Sequence, residues 1–80
     1  MQGKVVLINL KREMAALITE NNEYTSFEIL GSVINIGDIV TGDLESLGGE
    51  TWFNETQRDE IEVFVEDIHG SKESALRMIG

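Results

Sequence analysis

The sequence contains no cysteine and no proline, and it has a single histidine, His69. Without cysteine, neither disulfides nor a cysteine-based zinc site can stabilise the fold, and no thiolate is present for catalysis. This absence fits a reducing, cytoplasmic location. A nucleophile–base pair at His69 would need a serine or threonine partner, and the pattern indicates none. We therefore expect a protein that is not an enzyme, with no catalytic residues and no cofactor.

Long apolar runs are also missing. The apolar stretch at residues 5–10 is interrupted by Asn9 and ends at Lys11 and Arg12. It is far shorter than the roughly 20 apolar residues of a membrane-spanning helix, and it does not match a secretory signal. We expect no membrane segment. The length of 80 residues predicts a single domain over residues 1–80.

Basic residues are absent from residues 13–57, which carry nine acidic side chains. The chain as a whole has 15 acidic and six basic residues, which gives a net charge of −9. A field of this sign repels phosphate backbones and speeds encounters with basic partners. Simple solubility is the alternative explanation, because net charge keeps small domains monomeric.

β-Branched residues are abundant, since Val and Ile supply 15 residues and Thr another five. This excess favours pleated sheet over helix. Asn21-Asn22 suits the tight turn of a β-hairpin, because Asn tolerates positive φ. Gly48-Gly49 predicts another turn, and His69-Gly70 predicts the end of the last strand. The strands are predicted at residues 4–10, 14–19, 24–29, 39–47, 50–54 and 61–68.

A helix is predicted at the C-terminal end of the chain. Ser71 can cap it, because its hydroxyl accepts a hydrogen bond from a free backbone amide, and Glu73 complements the helix dipole. Ala75, Leu76 and Ile79 are expected to form its apolar stripe. Three strands, a short link and two or three more strands with glycine turns predict an all-β, five- to six-stranded, OB-like Greek-key barrel with this short helix. An SH3-like barrel is the alternative.

The stretch GKVVLINLKREMAALITENNEYTSFEIL, followed by Gly37-Asp38-Ile39-Val40, resembles the cold-shock and S1-like branch of OB-fold domains. The resemblance covers the first half of the chain and lies in the order of strands and turns. It implies an OB fold and binding of single-stranded RNA or DNA. In that family a basic residue and two aromatic rings on the second strand, with further rings on the third, form the platform on which bases stack.

Only part of that platform is present. Arg12 matches the basic residue, but Met14 and Ala16 stand where the two rings would be. On the third strand Tyr24 and Phe27 remain, and their spacing puts them on opposite faces of a regular strand, so one is expected in the core. Base stacking contributes about 1–3 kcal/mol per base, so the loss of two rings argues against the usual activity of the family.

Three other aromatic residues are candidates for a protein-binding surface. Trp52 and Phe53 are neighbours on a predicted strand, so their rings point to opposite sides and one of them is expected to be exposed. Packing in the core or at its rim is the alternative for this pair. Phe64 lies on the polar-looking face of the last strand with Glu62 and Glu66. An exposed ring surrounded by acidic residues suits a basic, partly apolar protein surface.

Two groups of acidic residues have the composition of a metal site but not its spacing. Neither has the glycine and closing glutamate that an EF-hand loop needs at fixed offsets. We therefore expect solvated acidic surfaces and no bound metal. The two groups are Glu66, Asp67 and His69, and Asp38, Asp43 and Glu45.

The preferred prediction is a non-enzymatic, acidic, OB-like module that binds a protein partner with a basic surface. The alternative is binding of single-stranded nucleic acid. A monomer or a weak homo-oligomer, associated through an unpaired strand edge, is a further possibility. The candidate residues for the protein partner are Phe64, Glu62, Glu66, Trp52 and Phe53. Those for nucleic acid are Lys11, Arg12, Tyr24 and Phe27.

Overall fold

The computed structural model describes residues 1–80 and contains six β-strands and one α-helix. All strand pairs are antiparallel, and they close a barrel in the order β1-β2-β3-β6-β5-β4. A meander of β1 to β3 with β4 returning beside β1 is a Greek-key arrangement. The predicted all-β barrel with a short C-terminal helix is confirmed. The elements are β1 (Gln2–Asn9), β2 (Met14–Thr19), β3 (Tyr24–Ile29), β4 (Ile39–Thr41), β5 (Gly48–Asn54), β6 (Asp59–Gly70) and α1 (Lys72–Ile79).

Each strand of the barrel pairs with a neighbour on both sides. The ladders of β4 are short, since they cover Gln2–Lys4 of β1 and Phe53–Asn54 of β5, and Gly48–Trp52 of β5 pair with β6 alone. Association of two copies through a strand edge therefore stays a prediction.

The hairpin of β2 and β3 has the predicted bounds, and Asn22 in its turn takes a positive φ of 63°. In β2, Ala15 and Leu17 point into the barrel, whereas Met14 and Ala16 point outward. All four side chains are buried, because the first two lie in the barrel interior and α1 covers the other two on the outer face of the strand. This two-sided burial explains why β2 shows no alternation of apolar and polar residues.

The barrel interior is filled by one hydrophobic cluster to which every strand contributes. Two residues from the connecting segments, Ile34 and Leu44, complete it. A separate, smaller cluster lies between α1 and the outer face of β2. The interior cluster consists of Val5, Ala15, Leu17, Phe27, Ile29, Ile34, Val40, Leu44, Trp52, Ile61, Val63 and Val65.

The fourth strand is shorter than predicted, and the turn after it lies elsewhere. β4 ends at Thr41, and the chain bends at Gly42 instead of continuing to residue 47. Gly42 has a φ of 156°, and a Cβ there would lie 2.7 Å from Cδ1 of Trp52. Gly48-Gly49, predicted as a turn, instead opens β5. Because Trp52 lies so close to the backbone at position 42, only glycine fits there, and the strand ends at this point.

The last strand continues to Gly70 instead of ending near residue 68. His69 lies within it and adopts a positive φ of 55°. The first strand, by contrast, ends one residue earlier than predicted, at Asn9, and Leu10 is exposed. β6 is longer because Gly70 pairs with Tyr24 of the distant strand β3, whereas β1 ends where Asn9 pairs with Met14 across the local turn into β2.

Helix α1 begins as predicted with Ser71 as its N-cap. The Ser71 hydroxyl accepts a hydrogen bond from the Ser74 backbone N–H, and Ser74 Oγ accepts one from the Ser71 N–H. Ala75 and Ile79 are buried, but Leu76 is 47% exposed, so its place in the predicted apolar stripe is wrong. Residues four apart share a helix face, whereas position 76 is turned away from position 75. No helix of the protein is long and apolar enough to cross a membrane.

Candidate functional site

Two phenylalanines are exposed on the outer surface of β5 and β6. Phe64 is 43% exposed and Phe53 is 37% exposed. Glu62 and Glu66 flank Phe64 along β6, and both are exposed. Across the sheet, Glu28 of β3 pairs with Phe64, and Glu60 of β6 pairs with Phe53. We call this surface the acidic-aromatic face and define it by Glu28, Phe53, Glu60, Glu62, Phe64 and Glu66.

A gap lies beside Phe64 on this face. Gly49 of β5 stands directly opposite Phe64, and a Cβ at Gly49 would meet no heavy atom within 4 Å. No side chain therefore stands opposite the ring on β5. A shallow cavity of about 300 Å³ adjoins the gap. It is lined by Leu30, Gly49, Glu50, Thr51, Glu62 and Val63.

Trp52 and Phe53 divide between the two sides of β5, as strand alternation requires. Trp52 is only 1% exposed, and its Nε1–H donates a hydrogen bond to the Asp43 backbone carbonyl at 3.1 Å. Its place among the candidates for partner contact is therefore wrong, because its ring belongs to the core. Phe53 is the exposed member of the pair.

The four residues considered for nucleic acid do not form one surface. Phe27 is fully buried in the barrel core, and Tyr24 is half-buried at the edge of the cluster under α1. Lys11 and Arg12 are exposed in the turn between β1 and β2. That turn adjoins the Met14 end of β2, whereas Tyr24 pairs at the other end of the hairpin. The structure thus separates the two cations from the one accessible ring.

Helix α1 covers the outer face of β2, where the resemblance to the cold-shock family predicts a stacking platform. Met14 and Ala16 pack there with Ala75 and Ile79 of the helix. Ala16 is fully buried. The Asn9 side chain fixes the far end of α1, because its Nδ2 donates a hydrogen bond to the Ile79 carbonyl at 3.0 Å. The outer face of β2 is therefore part of the packed interior.

A cluster that no sequence pattern predicts, formed by Glu23, Glu45 and His69, lies at one end of the barrel. His69 Nδ1 is 2.8 Å from Glu23 Oε1 and 3.4 Å from Glu45 Oε2. The hydrogen bond to Glu23 raises the pKa of His69, the partial loss of hydration opposes this, and the charges of Glu23 and Glu45 raise it further. The three residues are widely separated in the chain, so no local spacing reveals the cluster. Neither acidic group considered from the sequence is brought together as a set.

Asp38 forms a second polar cluster, and its role is structural. Its buried Oδ2 accepts hydrogen bonds from Asn54 Nδ2 at 2.8 Å, Gln57 Nε2 at 2.7 Å and the Asn35 backbone N–H at 2.9 Å. Burial raises the pKa of Asp38, but the three hydrogen bonds outweigh it, so the pKa lies below its usual value. Asp38 thereby ties the β3–β4 connection to the end of β5 and the turn that follows.

The fold and these surfaces define a small, acidic, closed antiparallel β-barrel whose second strand is covered by the C-terminal helix. Comparison with protein-family models, with curated proteins and with solved structures finds no match. The relationship to cold-shock-like OB domains therefore stays a prediction based on the order of strands and turns.

Proposed function

We propose that the protein is a non-enzymatic, cytoplasmic, OB-like binding module whose acidic-aromatic face docks a protein partner with a basic surface. The observation that carries the proposal is the exposure of Phe53 and Phe64 on two paired strands whose outward residues include no base. Exposed aromatic residues supply much of the energy of protein interfaces. Acidic residues around them select a partner of opposite charge.

The chemistry of the face indicates which partner groups fit it. An arginine or lysine can lay its aliphatic stem along Phe64, in the gap beside Gly49, while its charged head reaches Glu28, Glu62 or Glu66. A guanidinium over the ring adds a cation–π attraction of about 0.5–1 kcal/mol at an exposed site. The best fit is a segment in which basic residues alternate with apolar ones, because the face alternates Glu and Phe along β6.

The helix-covered outer face of β2 supports a protein partner over single-stranded nucleic acid. Base stacking needs accessible rings, and the residues at the family's ring positions, Met14 and Ala16, are small or aliphatic and lie under α1. The net charge of −9 also opposes a phosphate backbone. Lys11 and Arg12 are the remaining basis for the nucleic-acid alternative.

The test is an NMR titration of the labelled 80-residue chain with two probes. One probe is a short peptide that alternates arginine and leucine, and the other is a single-stranded oligonucleotide. For the peptide we expect amide shifts confined to β5, β6 and Glu28. Phe64→Ala is expected to weaken peptide binding about tenfold, the loss typical of an interface residue worth more than 1 kcal/mol.

Leu76→Ala is the matched control, because it also removes an exposed apolar side chain without changing the charge. Equal effects of Phe64→Ala and Leu76→Ala, or peptide shifts spread evenly over the acidic surface, would overturn the proposal. Oligonucleotide shifts centred on Lys11 and Arg12 that weaken steeply between about 50 and 200 mM salt would instead favour nucleic acid.

A further inference from the structure

Three metal-ligating side chains converge at one end of the barrel from three separate parts of the chain. Glu23 precedes β3, Glu45 lies between β4 and β5, and His69 is near the end of β6. One ligand atom from each lies within 4.8 Å of the other two. Partner binding on the acidic-aromatic face makes no use of this cluster.

His69 Nδ1 faces two carboxylate oxygens, one from Glu23 and one from Glu45, but it can donate a hydrogen bond to only one of them. His69 Nδ1 can hold one hydrogen, and the shorter contact directs it to Glu23 Oε1 at 2.8 Å. Glu45 Oε2, which also faces Nδ1, is buried and has no hydrogen-bond donor. The other oxygen of Glu45 accepts only a long hydrogen bond, 3.3 Å, from Asn21 Nδ2. A buried carboxylate oxygen without a hydrogen-bond donor is costly, and its contact with His69 is longer than that of Glu23, so a cation bound directly to this oxygen would relieve the cost.

We propose that Glu23, Glu45 and His69 bind a divalent transition-metal ion of the zinc class. One cation in place of the single shared proton would satisfy Nδ1 and both carboxylates at once. An imidazole nitrogen with two carboxylate oxygens suits zinc and its first-row neighbours rather than calcium or magnesium, which prefer oxygen alone. Three protein ligands leave a fourth tetrahedral position for water.

The spacing of the donor atoms fits such an ion after a small adjustment. Ligand atoms of a tetrahedral zinc site lie about 3.4 Å apart, since each is about 2.0–2.2 Å from the metal. The distance from Nδ1 to Glu45 Oε2 is already 3.4 Å. The contact of 2.8 Å to Glu23 must lengthen, and the side chains of His69 and Glu23 are 53% and 41% exposed and free to move.

The ion would fasten the β2–β3 turn, the β4–β5 loop and the end of β6 to one another. Because a metal ligand must be deprotonated, the ion competes with the proton on His69. Metal affinity is therefore expected to fall as the pH drops below neutrality, and the unfolding midpoint is expected to rise when metal is added.

The test is titration of the chelator-treated, tag-free 80-residue chain with zinc chloride at about pH 7.5. Binding is followed by calorimetry and by the imidazole NMR signals. The chain has one histidine and no cysteine, so the imidazole signals are unambiguous and no thiolate competes. We expect one saturable site, with affinity lowered at least about tenfold by Glu45→Gln and by His69→Asn.

Asparagine is chosen at position 69 because it tolerates the positive φ of 55° found there. Glu55→Gln, which removes an equal charge from an exposed turn, is the matched control and is expected to bind zinc like the parent. The proposal would be overturned if no saturable binding were seen up to about 1 mM zinc, because a dissociation constant above that concentration is typical of non-specific sites. Equal affinities of the Glu45→Gln and Glu55→Gln variants would also overturn it, and circular dichroism of each variant verifies the fold.

Discussion

The rings of Phe27 and Trp52 meet edge to face inside the barrel, with centroids 4.9 Å apart and planes inclined by 75°. The sequence suggests Phe27 as a base-stacking ring and Trp52 as a partner contact. Both rings are instead buried against each other in the core, so neither can contact a ligand. Edge-to-face pairs contribute about 0.5–1.5 kcal/mol beyond the burial of their area. Phe53 and Phe64 are therefore the aromatic residues of β5 and β6 that remain exposed and can contact a partner.

Gly42 is predicted to be the least replaceable glycine of the barrel. Alanine there would place a Cβ 2.7 Å from Cδ1 of Trp52, and the buried ring has no room to withdraw. We expect Gly42→Ala to lower the free energy of unfolding by about 1–3 kcal/mol, the usual cost of overpacking. Gly49→Ala, which meets open space, is the control and is expected to change it little. Urea unfolding of both variants is the measurement, and equal midpoints would contradict the packing argument.

Phe27 and Phe64 are predicted to differ sharply in their importance for stability. Phe27 is fully buried, so Phe27→Ala is expected to cost about 3–5 kcal/mol. Phe64 is 43% exposed and faces Gly49, so Phe64→Ala is expected to cost about 1 kcal/mol or less. Thermal and urea unfolding measure both. A large loss for Phe64→Ala would mean that this ring holds the sheet together instead of serving a partner.

The hairpin of β2 and β3 could be predicted because its signals are local. Two runs with strand propensity and the Asn21-Asn22 turn lie within one stretch of sequence, and they suffice to place both strands. Gly48-Gly49 shows the opposite case, since a glycine pair has turn propensity but here pairs with β6. Likewise, which of Trp52 and Phe53 faces the core depends on the register with β6, a contact between distant residues.

The candidate sites divide in the same way. Alternation along β6 predicts an exposed Phe64 between Glu62 and Glu66, and the structure exposes all three. The meeting of Glu23 and His69 could not be predicted, because the two residues are 46 positions apart and are joined only by closure of the barrel. Coverage of β2 by α1 depends equally on tertiary packing.

Ser26 is predicted to be a site where a polar side chain weakens the fold. Its Oγ is buried with no hydrogen-bond partner, on the strand beside Ala16. Because an unsatisfied buried hydroxyl costs about 1–3 kcal/mol, Ser26→Ala is expected to raise the free energy of unfolding by about 1 kcal/mol. Ser74→Ala, which removes the two hydrogen bonds that Ser74 Oγ makes with the Ser71 N–H and the Ser71 carbonyl, is expected to lower it by about 1 kcal/mol. Changes of the same sign in urea unfolding would contradict this distinction.

Asp38 is predicted to make stability depend on pH in the acid range. Its folded-state pKa lies below the ordinary value of 3.8, so ionised Asp38 stabilises the fold above that pH. The contribution is lost as the pH falls from there through the folded-state pKa. Asp38→Asn is expected to cost about 1.5–3 kcal/mol at neutral pH, typical of hydrogen bonds to a charged group.

Urea unfolding of the parent and the Asp38→Asn variant at neutral pH and at about pH 3, below the ordinary pKa of an aspartate, is the measurement. The difference between the two proteins is expected to shrink in acid. Asp59→Asn, at the exposed start of β6, is the control and is expected to matter little at either pH. A difference that stays constant with pH would show that Asp38 acts through its shape and not its charge.

The titration of His69 tests the cluster at the barrel end independently of metal. In protein freed of metal by a chelator, we expect the pKa of His69 to lie above 6.5, chiefly because of its hydrogen bond to Glu23. The ion pair therefore stabilises the fold below the unfolded-state pKa, and this contribution disappears as the pH rises through the folded-state pKa. Glu23→Gln is expected to lower the NMR titration midpoint more than Glu45→Gln, and Glu55→Gln is expected to leave it unchanged. A midpoint unaffected by Glu23→Gln would mean that the two side chains do not pair in solution.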